Sequence, residues 1–247
     1  MVYTHFARDY DRMMHDVDYA GWAEYLCSFL EEHENVGSVL DCACGTGNIT
    51  LALANRGYAV TGLDLSSDML NTAQEKARNA GLRIPFICQD MRDIALHHAV
   101  DAVVCVCDGI NYLRGEADLL QFLASANRTL RSGGLLLFDL SSEYKLRCVL
   151  GDKPYFEDSD SYTYLWTNRY HDKTHDCELS LTVFSRETGS RLYRRYDETH
   201  IQHAFLQAEI ECALKESGFS LLGVFDAFTR NAPTETTLRI QFVCRKD

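Results

Sequence analysis

Short apolar runs alternate with helical patterns between residues 36 and 140 of the chain. The interiors of these runs are almost continuously apolar, as expected for parallel strands that are covered on both faces. Ser66 and Gly81 supply a start signal and a stop signal for the second of the intervening helices. The predicted strands cover residues 38–42, 59–64, 85–88, 102–107 and 135–140, and the predicted helices cover residues 48–56, 67–80 and 116–131.

The segments on either side of this region have different patterns. Residues 3–14 and 18–33 are predicted helices, and the second has a stripe of large apolar residues that recur every three or four positions. Beyond residue 150, polar and apolar residues alternate with a period of two, which predicts an antiparallel meander. Its strands are predicted at residues 162–170, 177–186 and 191–199, followed by a helix at 208–217 and strands at 221–228 and 237–243.

Strands that alternate with helices are joined by right-handed crossovers, and they predict a doubly wound parallel sheet. We therefore expect an α/β protein with a Rossmann-like, mostly parallel sheet of seven strands and a small inserted antiparallel sheet. The predicted organisation is a helical lid at residues 1–35, a core formed by residues 36–150 and 206–247, and the inserted sheet at residues 151–205.

The composition is that of a soluble globular protein. The chain has 247 residues, of which 46% are hydrophobic and 24% charged, and its three prolines mark no flexible linker. The formal net charge is −12 and the sequence pI is about 5.2. Nucleic acids and anionic membrane surfaces attract basic patches, so we expect neither as a partner. A monomer or a homodimer is expected.

Cysteine usage and the lack of long apolar runs indicate a cytoplasmic protein. Ten cysteines are present, but no Cys-x-x-Cys pair occurs, and several cysteines lie inside apolar segments. Such cysteines behave as small buried hydrophobic residues, so we expect reduced thiols and no metal site. No apolar run is long enough to span a bilayer, and the first residues lack the pattern of an export signal.

The most informative motif follows the first predicted strand, where Asp41 leads into a glycine-containing turn that opens a helix. Such a turn presents backbone N–H groups to a ligand at the carboxyl end of a parallel sheet. A dinucleotide fingerprint requires a third glycine, but Thr50 stands at that position. A nicotinamide-dependent oxidoreductase is therefore the weaker alternative, and a binding or interaction module without catalysis is another.

The motif Asp-x-Ala-x-Gly-x-Gly resembles the first motif of class I S-adenosylmethionine-dependent methyltransferases. Acids or polar turns also follow the next three strands, at Asp64, at Asp90 and at Cys107-Asp108, in the order of the other motifs of that family. The flanking helices resemble those of small bacterial methyltransferases with an N-terminal lid, and the insertion is faintly similar to that of glycine and sarcosine N-methyltransferases. The resemblance implies S-adenosylmethionine as the cofactor.

The resemblance also implies a set of site residues. In the family the acid after the second strand accepts hydrogen bonds from the ribose hydroxyls, and the acid after the third strand holds the adenine amino group. The cofactor-binding residues implied here are Tyr10, Trp22, Asp41, Ala43, Gly45, Gly47, Asp64, Leu65, Asp90, Met91, Cys107 and Asp108.

The expected reaction is methyl transfer to a small molecule whose identity the sequence leaves open. The fourth-strand motif differs from the Asn/Asp-Pro-Pro-Tyr type of enzymes that methylate amino groups of nucleic-acid bases. Asn111 and Trp166 are expected to contact the acceptor from the fourth-strand turn and from the inserted sheet, which lies on the acceptor side. His200 is the candidate base, because histidine exchanges protons near neutral pH.

Overall fold

The structure, a computed structural model, describes residues 7–187 and 189–247, apart from the side chain of Arg8. Residues 3–6 of the first predicted helix lie outside the described residues. The helices are α1 (Ala7–Met13), α2 (Tyr19–Leu30), α3 (Asn48–Asn55), α4 (Ser67–Asn79), α5 (Glu116–Thr129) and α6 (Gln207–Glu216). The strands are β1 (Ser38–Cys42), β2 (Ala59–Asp64), β3 (Phe86–Cys88), β4 (Val100–Cys105), β5 (Leu130–Ser141), β6 (Pro154–Asp158), β7 (Tyr162–His171), β8 (Asp176–Arg186), β9 (Tyr193–His203), β10 (Phe219–Asp226) and β11 (Arg239–Lys246).

Seven strands form the central sheet in the order β10-β11-β5-β4-β1-β2-β3. Five of them, from β5 to β3, are parallel, whereas β11 is antiparallel to both β5 and β10. This arrangement confirms the predicted Rossmann-like, mostly parallel sheet of seven strands. The strand order reverses beside β1, and open α/β sheets bind ligands at the carboxyl ends of the strands at such a point.

The second sheet is antiparallel and contains β6, β7, β8 and β9 in that order. The alternating pattern predicted three of these strands, whereas β6 was not predicted. Pro154 opens β6, which lies at the edge of the sheet. Proline is tolerated at such a position because an edge strand leaves part of its backbone unpaired. The proline at its first position argued against a strand here, and the short sequence of β6 gave only a weak strand pattern.

Apolar side chains cover both faces of the central sheet. On one face, the stripe of α2 contributes Trp22, Leu26 and Phe29, which are all buried against β1, β4 and β5. On the other face, Phe138 of β5 and Phe242 of β11 stack with their ring centroids 5.0 Å apart, beside α5 and α6. The sheet is thus packed between two apolar layers. Polar side chains lie at its uncovered carboxyl edge.

A single carboxylate joins the amino-terminal ends of β1 and β4. Asp101 Oδ2 accepts hydrogen bonds from the Gly37 and Ser38 amides and from Ser38 Oγ at 2.8–2.9 Å. Arg131 Nε donates to its other oxygen at 2.5 Å. Burial opposes ionisation, but the hydrogen bonds from the two amides, from Ser38 Oγ and from Arg131 together outweigh it and lower the pKa of Asp101 to about 2. The ionised carboxylate therefore stabilises the folded state.

We expect Asp101→Asn to lower the free energy of unfolding by about 1–3 kcal/mol at neutral pH, since hydrogen bonds to a charged group are lost. A carboxylate whose pKa is depressed on folding stabilises above its unfolded pKa of 3.8. That contribution disappears as the pH falls to about 2, so the difference between variant and parent should vanish there. Urea unfolding at several pH values measures this difference in the free energy of unfolding. Asp93→Asn, at an exposed position, is the control. Parallel pH curves for Asp101→Asn and the parent would contradict this assignment.

Candidate active site

A cavity of about 470 Å³ opens at the carboxyl edge of the central sheet. The turns after β1, β2, β3 and β4 form its floor and walls, and residues of α1 and β9 contribute to its rim. The predicted cofactor residues that line it are Tyr10, Asp41, Ala43, Gly45, Asp64, Leu65, Asp90, Met91 and Cys107. Residues that line it without having been predicted include Tyr19, Thr46, Asn48, Arg92, Tyr112 and Ile201.

The glycine turn after β1 is bent by left-handed residues. Gly45 and Gly47 have φ values of 55° and 78°, and Ala43 also has a positive φ of 54°. A Cβ atom on Gly47 would lie 2.9 Å from the Cβ of Ala73, so a side chain there would also collide with α4. Gly47 therefore lets α3 begin close to α4 and exposes the turn amides beside the cavity.

Asp64 connects two turns at the end of β2. Its Oδ2 accepts a hydrogen bond from the Gly45 amide, and its Oδ1 accepts one from the Ser66 amide, both at 2.8 Å. Ser66 Oγ caps α4 by accepting from the Met69 amide at 3.3 Å. Burial raises the pKa of Asp64 above its usual value, although both amides oppose that shift. The carboxyl group is thus held rigidly with its oxygens at the cavity wall.

Asp41 lies deeper in the floor and is 2% exposed. Its Oδ2 accepts a hydrogen bond from Thr50 Oγ1 at 2.5 Å. Burial raises the pKa of Asp41 to about 7, against the opposing hydrogen bond from Thr50. Thr50 therefore has a specific partner at the position where a dinucleotide-binding turn would have its third glycine. The sequence showed the missing glycine, but it did not show this hydrogen bond.

Asp90 and Arg92 form an ion pair at the opposite end of the cavity. The Arg92 guanidinium donates to both Asp90 oxygens, and its other nitrogen donates to Asp118 Oδ1 at 2.8 Å. The hydrogen bonds from Arg92 lower the pKa of Asp90, which therefore remains ionised. Asp118 belongs to α5, far from Asp90 in sequence, and this separation explains why the cluster was not predicted.

The first helix is tied to the glycine turn. Asp11 Oδ1 accepts hydrogen bonds from Thr46 Oγ1 at 2.7 Å and Asn48 Nδ2 at 2.9 Å, and Lys76 Nζ lies 2.7 Å from Asp11 Oδ2. These bonds hold Tyr10 of α1 over the cavity. The residues that make them lie on three helices and in the glycine turn, so sequence spacing could not reveal them.

Trp22 was predicted to close over the cofactor, but the structure places it away from the cavity. Its ring packs edge-on against Phe228 at 4.5 Å and lies 5.6 Å from the Arg239 guanidinium. Its position in the stripe of α2 turns it toward the central sheet. Tyr19, one turn earlier, lines the cavity instead, and burial raises its pKa to about 12.

Asp108 also lies outside the cavity lining, in a polar cluster beneath it. Its carboxylate accepts from Gln202 Nε2 at 2.7 Å and from Arg239 at 2.5 Å. Arg239 also donates to Asp139, which is fully buried. The two aspartates thus share one guanidinium, and the residues on either side of Asp108, Cys107 and Gly109, line the cavity instead.

The three residues predicted for the acceptor side are not among the residues that line the cavity. Asn111 is fully buried, and its Nδ2 donates to the carbonyls of Ser141 at 3.1 Å and His203 at 2.9 Å. Trp166 donates to Asn168 within the second sheet. His200 is 6% exposed and contacts the cavity through Tyr112, whose hydroxyl lies 3.2 Å from His200 Nδ1. Direct contacts of these residues with an acceptor stay predictions.

Comparison with known proteins identifies the reaction class. A family model described as a methyltransferase domain matches residues 39–134. The candidate methyltransferase YqeM of Bacillus subtilis (strain 168) is 37% identical over 251 residues, which include all of this chain and 98% of that protein. A glycine/sarcosine N-methyltransferase of Aphanothece halophytica is 31% identical over 118 residues, or 47% of this chain and 44% of that enzyme.

A solved structure agrees over the whole chain. The S-adenosylmethionine-dependent methyltransferase from Clostridium acetobutylicum ATCC 824 is 31% identical and superposes with a TM-score of 0.89, covering 98% of this chain and 97% of that one. The similarity therefore includes the N-terminal helices and the second sheet as well as the domain that the family model matches. The chain belongs to the class I S-adenosylmethionine-dependent methyltransferases, and its cofactor is S-adenosylmethionine.

Proposed function

We propose that the chain methylates a small molecule that reaches the cavity beside Tyr112 and β9. The observation that carries this proposal is one cavity that joins the strand-end acids to Tyr112 and to Ile201 of the second sheet. A cofactor held at the acids and an acceptor beside the second sheet would then meet in the same enclosed space. Enclosure excludes water, and alignment of the two reactants supplies much of the rate enhancement.

The donor set of the cavity fits S-adenosylmethionine. Asp64 would accept hydrogen bonds from the ribose hydroxyls, since its carboxyl group is fixed by two amides at the cavity wall. Asp90, beside Met91 and Leu65, would hold the adenine end. Asp41 and the amides of the Gly45 turn would face the methionine end, where an ammonium group matches a buried acid. When bound, the cofactor supplies a methyl group on a positively charged sulfur.

The proposed acceptor is a small molecule, and nucleic acids and membranes are not proposed partners. A net charge of −12 disfavours contact with polyanions. The glycine/sarcosine N-methyltransferase that matches part of the chain is named for small-molecule acceptors, which supports the same class here. Within the described residues, none of the helices is both long and apolar enough to cross a membrane.

We also propose a reducing, cytoplasmic location and a monomeric or homodimeric state. The ten cysteines are all free thiols, and several of them are buried among apolar side chains. Reduced buried thiols are typical of proteins that fold in a reducing compartment. The strand β6 lies at an edge of the second sheet, where strand pairing between two subunits would be geometrically simple.

Replacing Asp64 by Ala should lower the affinity for S-adenosylhomocysteine about tenfold to a hundredfold, since hydrogen bonds to a charged acceptor are lost. Asp64→Asn should lose less, because its side-chain carbonyl still accepts one hydrogen bond. Titration calorimetry measures the affinities, and Glu75→Ala on the exposed face of α4 is the matched control. Unchanged affinity in a folded Asp64→Ala variant would place the ribose elsewhere.

Binding of S-adenosylhomocysteine should release protons near pH 6 and almost none at pH 8. Burial raises the pKa of Asp41 to about 7, so this carboxyl group is largely protonated at pH 6 in the free protein. An ammonium group bound beside it favours the carboxylate and lowers its pKa, which expels the proton. Calorimetry in two buffers of different ionisation enthalpy counts the protons. Asp41→Asn should abolish the release, and a release that persists in this variant would show that another group titrates.

Turnover should appear with small-molecule acceptors. A panel of amino acids, amino sugars, amines and phenols, incubated with S-adenosylmethionine, should include compounds that release S-adenosylhomocysteine with saturation kinetics. At limiting cofactor, Asp64→Ala should reduce that release in proportion to its loss of affinity. Methylation of RNA or of a protein, with no member of the panel accepted, would contradict the proposed acceptor class.

A further inference from the structure

The strand β9 ends the second sheet, and one of its edges borders the cavity. It is the last strand in the order β6-β7-β8-β9 and pairs with β8 along its other edge. Two of its residues, Thr199 and Ile201, line the cavity. A strand at the edge of a sheet leaves a row of backbone N–H and C=O groups without a partner strand. The direction of those groups at Thr199 and Ile201 therefore decides what the cavity offers to a ligand.

The register against β8 determines this direction. In an antiparallel pair, residues that exchange both backbone hydrogen bonds with the opposite residue alternate with residues that direct both groups away from it. The Ala204 N–H donates to the His175 carbonyl at 2.8 Å beyond one end of β9, and the Glu187 N–H donates to the Leu192 carbonyl at 3.0 Å beyond the other. The register between these two points is continuous. Both points assign the hydrogen bonds to β8 to the even-numbered residues of β9, so the odd-numbered residues face away.

A contact of His203 agrees with this assignment. Its carbonyl, at an odd-numbered position, accepts a hydrogen bond from Asn111 Nδ2 at 2.9 Å on the side away from β8. Asn111 belongs to the turn Gly109–Tyr112, whose two end residues line the cavity. Thr199 and Ile201 are also odd-numbered, and within the described part of the chain their outward N–H and C=O groups have no hydrogen-bond partner. We call the outward backbone groups of these two residues the free edge.

The free edge matches the chemistry of an α-amino acid unit. Two residues that face each other in an antiparallel sheet exchange two hydrogen bonds, because each has a nitrogen donor and a carbonyl acceptor on either side of one Cα atom. A molecule with an amino group and a carboxyl or carbonyl group on the same carbon can therefore bind Ile201 in this way. An amine without the carbonyl group would satisfy the Ile201 carbonyl but leave its N–H without an acceptor.

The charge of the cavity agrees with an amino group. Four aspartates and two arginines line it: Asp41, Asp64, Asp90, Asp118, Arg92 and Arg114. Arg92 is already ion-paired with Asp90 and Asp118. The excess of carboxyl groups attracts ammonium compounds from solution.

The exposure of β9 indicates how a longer acceptor would lie. Ile201 is half-buried, whereas Thr199, Asp197 and Arg195 are exposed. In an added antiparallel strand, a first residue opposite Ile201 would place the third residue opposite Thr199. The rest of such a chain would then leave the cavity beside Asp197. The free edge therefore fits an amino terminus inside the cavity with the remainder of the molecule outside.

We propose that the free edge binds an α-amino acid unit, either free or at the amino terminus of a peptide, as the methyl acceptor. This inference rests on the proposed function, because the acceptor must meet the cofactor in the cavity. The amino group, after its ammonium form has lost a proton to solvent, donates to the Ile201 carbonyl, and the carboxyl or carbonyl oxygen accepts from the Ile201 N–H.

This pairing leaves the nitrogen lone pair of the amine available. The lone pair forms a bond to the methyl carbon as the methyl–sulfur bond breaks, and the electron pair of that bond stays on sulfur. The nitrogen then carries one proton more than the neutral N-methylated product, and that proton leaves to solvent. The protein contributes the position of the amine through backbone groups that are fixed by the register of β9.

Matched ligands test the inference on the parent protein. The common amino acids are compared with the amines that lack only the carboxyl group, and with tripeptides that begin with the same residue. Calorimetry with the S-adenosylhomocysteine complex at about pH 8 measures binding, and mass spectrometry after incubation with S-adenosylmethionine locates the methyl group. We expect at least one amino acid or tripeptide to bind about tenfold or more tightly than its matched amine and to be methylated on its α-nitrogen. Whether the amino acid or its tripeptide binds more tightly identifies the source of the unit.

A proline substitution tests the backbone contact. Ile201→Pro removes the outward N–H without breaking a hydrogen bond to β8, and proline is tolerated at such edge positions. Ile201→Val keeps the N–H. The affinity for the accepted compound should fall about tenfold further in Ile201→Pro than in Ile201→Val, while the affinity for S-adenosylhomocysteine stays within about twofold of the parent value. Asp197→Pro removes an outward N–H outside the cavity lining, and it should leave both affinities unchanged.

The possible failures are distinct. If the parent binds S-adenosylhomocysteine but binds no amino acid or tripeptide more tightly than the matched amine, the inference is overturned and the methyltransferase assignment stands. Equal losses in Ile201→Pro and Ile201→Val would overturn it as well, since they would assign the contact to the side chain. If Ile201→Pro lost S-adenosylhomocysteine through misfolding, the matched ligands on the parent protein would still decide. A parent that bound no S-adenosylhomocysteine would contradict the proposed function instead.

Discussion

The active site depends on the two backbone hydrogen bonds that Asp64 accepts. They join the glycine turn after β1 to the turn after β2, through Gly45 and Ser66. The turns belong to neighbouring parallel strands, so the amides of both are fixed at the same edge of the sheet. Asp64 therefore organises the cavity floor and is also placed to bind a ligand.

Charged side chains cluster at the carboxyl edge of the sheet, whereas apolar side chains cover its two faces. Burying a charge is costly unless it is paired, and the structure pairs its buried charges in small groups. Asp108 and Asp139 share Arg239 beneath the fourth-strand turn, and Asp90 and Asp118 share Arg92 at the cavity wall. Asp41 is an exception because its described hydrogen-bond donor is a hydroxyl group, and its raised pKa reflects that. A cationic ligand would complete this arrangement.

The sequence predicted the central sheet well because the two features that indicate it, apolar runs and the acid or glycine after each run, are local in sequence. Continuous apolar runs define buried strands, and an acid or a glycine after each run marks the edge where ligands bind, as at Asp41 and Asp64. The residues of β9 and of the fourth-strand turn were predicted less well because their contacts are with residues that are distant in sequence. Trp22 belongs to an apolar stripe of α2 that packs in the core. Periodicity alone cannot distinguish a residue of that stripe that packs in the core from one that lines the cavity. Tyr112 ends the fourth-strand motif, but its proximity to His200 arises only when β9 folds over the fourth-strand turn.

The first helix connects the two halves of the site. Asp11 accepts hydrogen bonds from Thr46 of the glycine turn and from Lys76, whereas Asp9 accepts a hydrogen bond from the Tyr196 hydroxyl of β9 at 3.0 Å. These two acids lie on α1 on either side of Tyr10, which lines the cavity between them. Any displacement of α1 must therefore break polar contacts to the glycine turn and to the second sheet together. Because β9 also contributes Thr199 and Ile201 to the cavity lining, the helix that contributes Tyr10 to the cavity also stabilises the position of this strand.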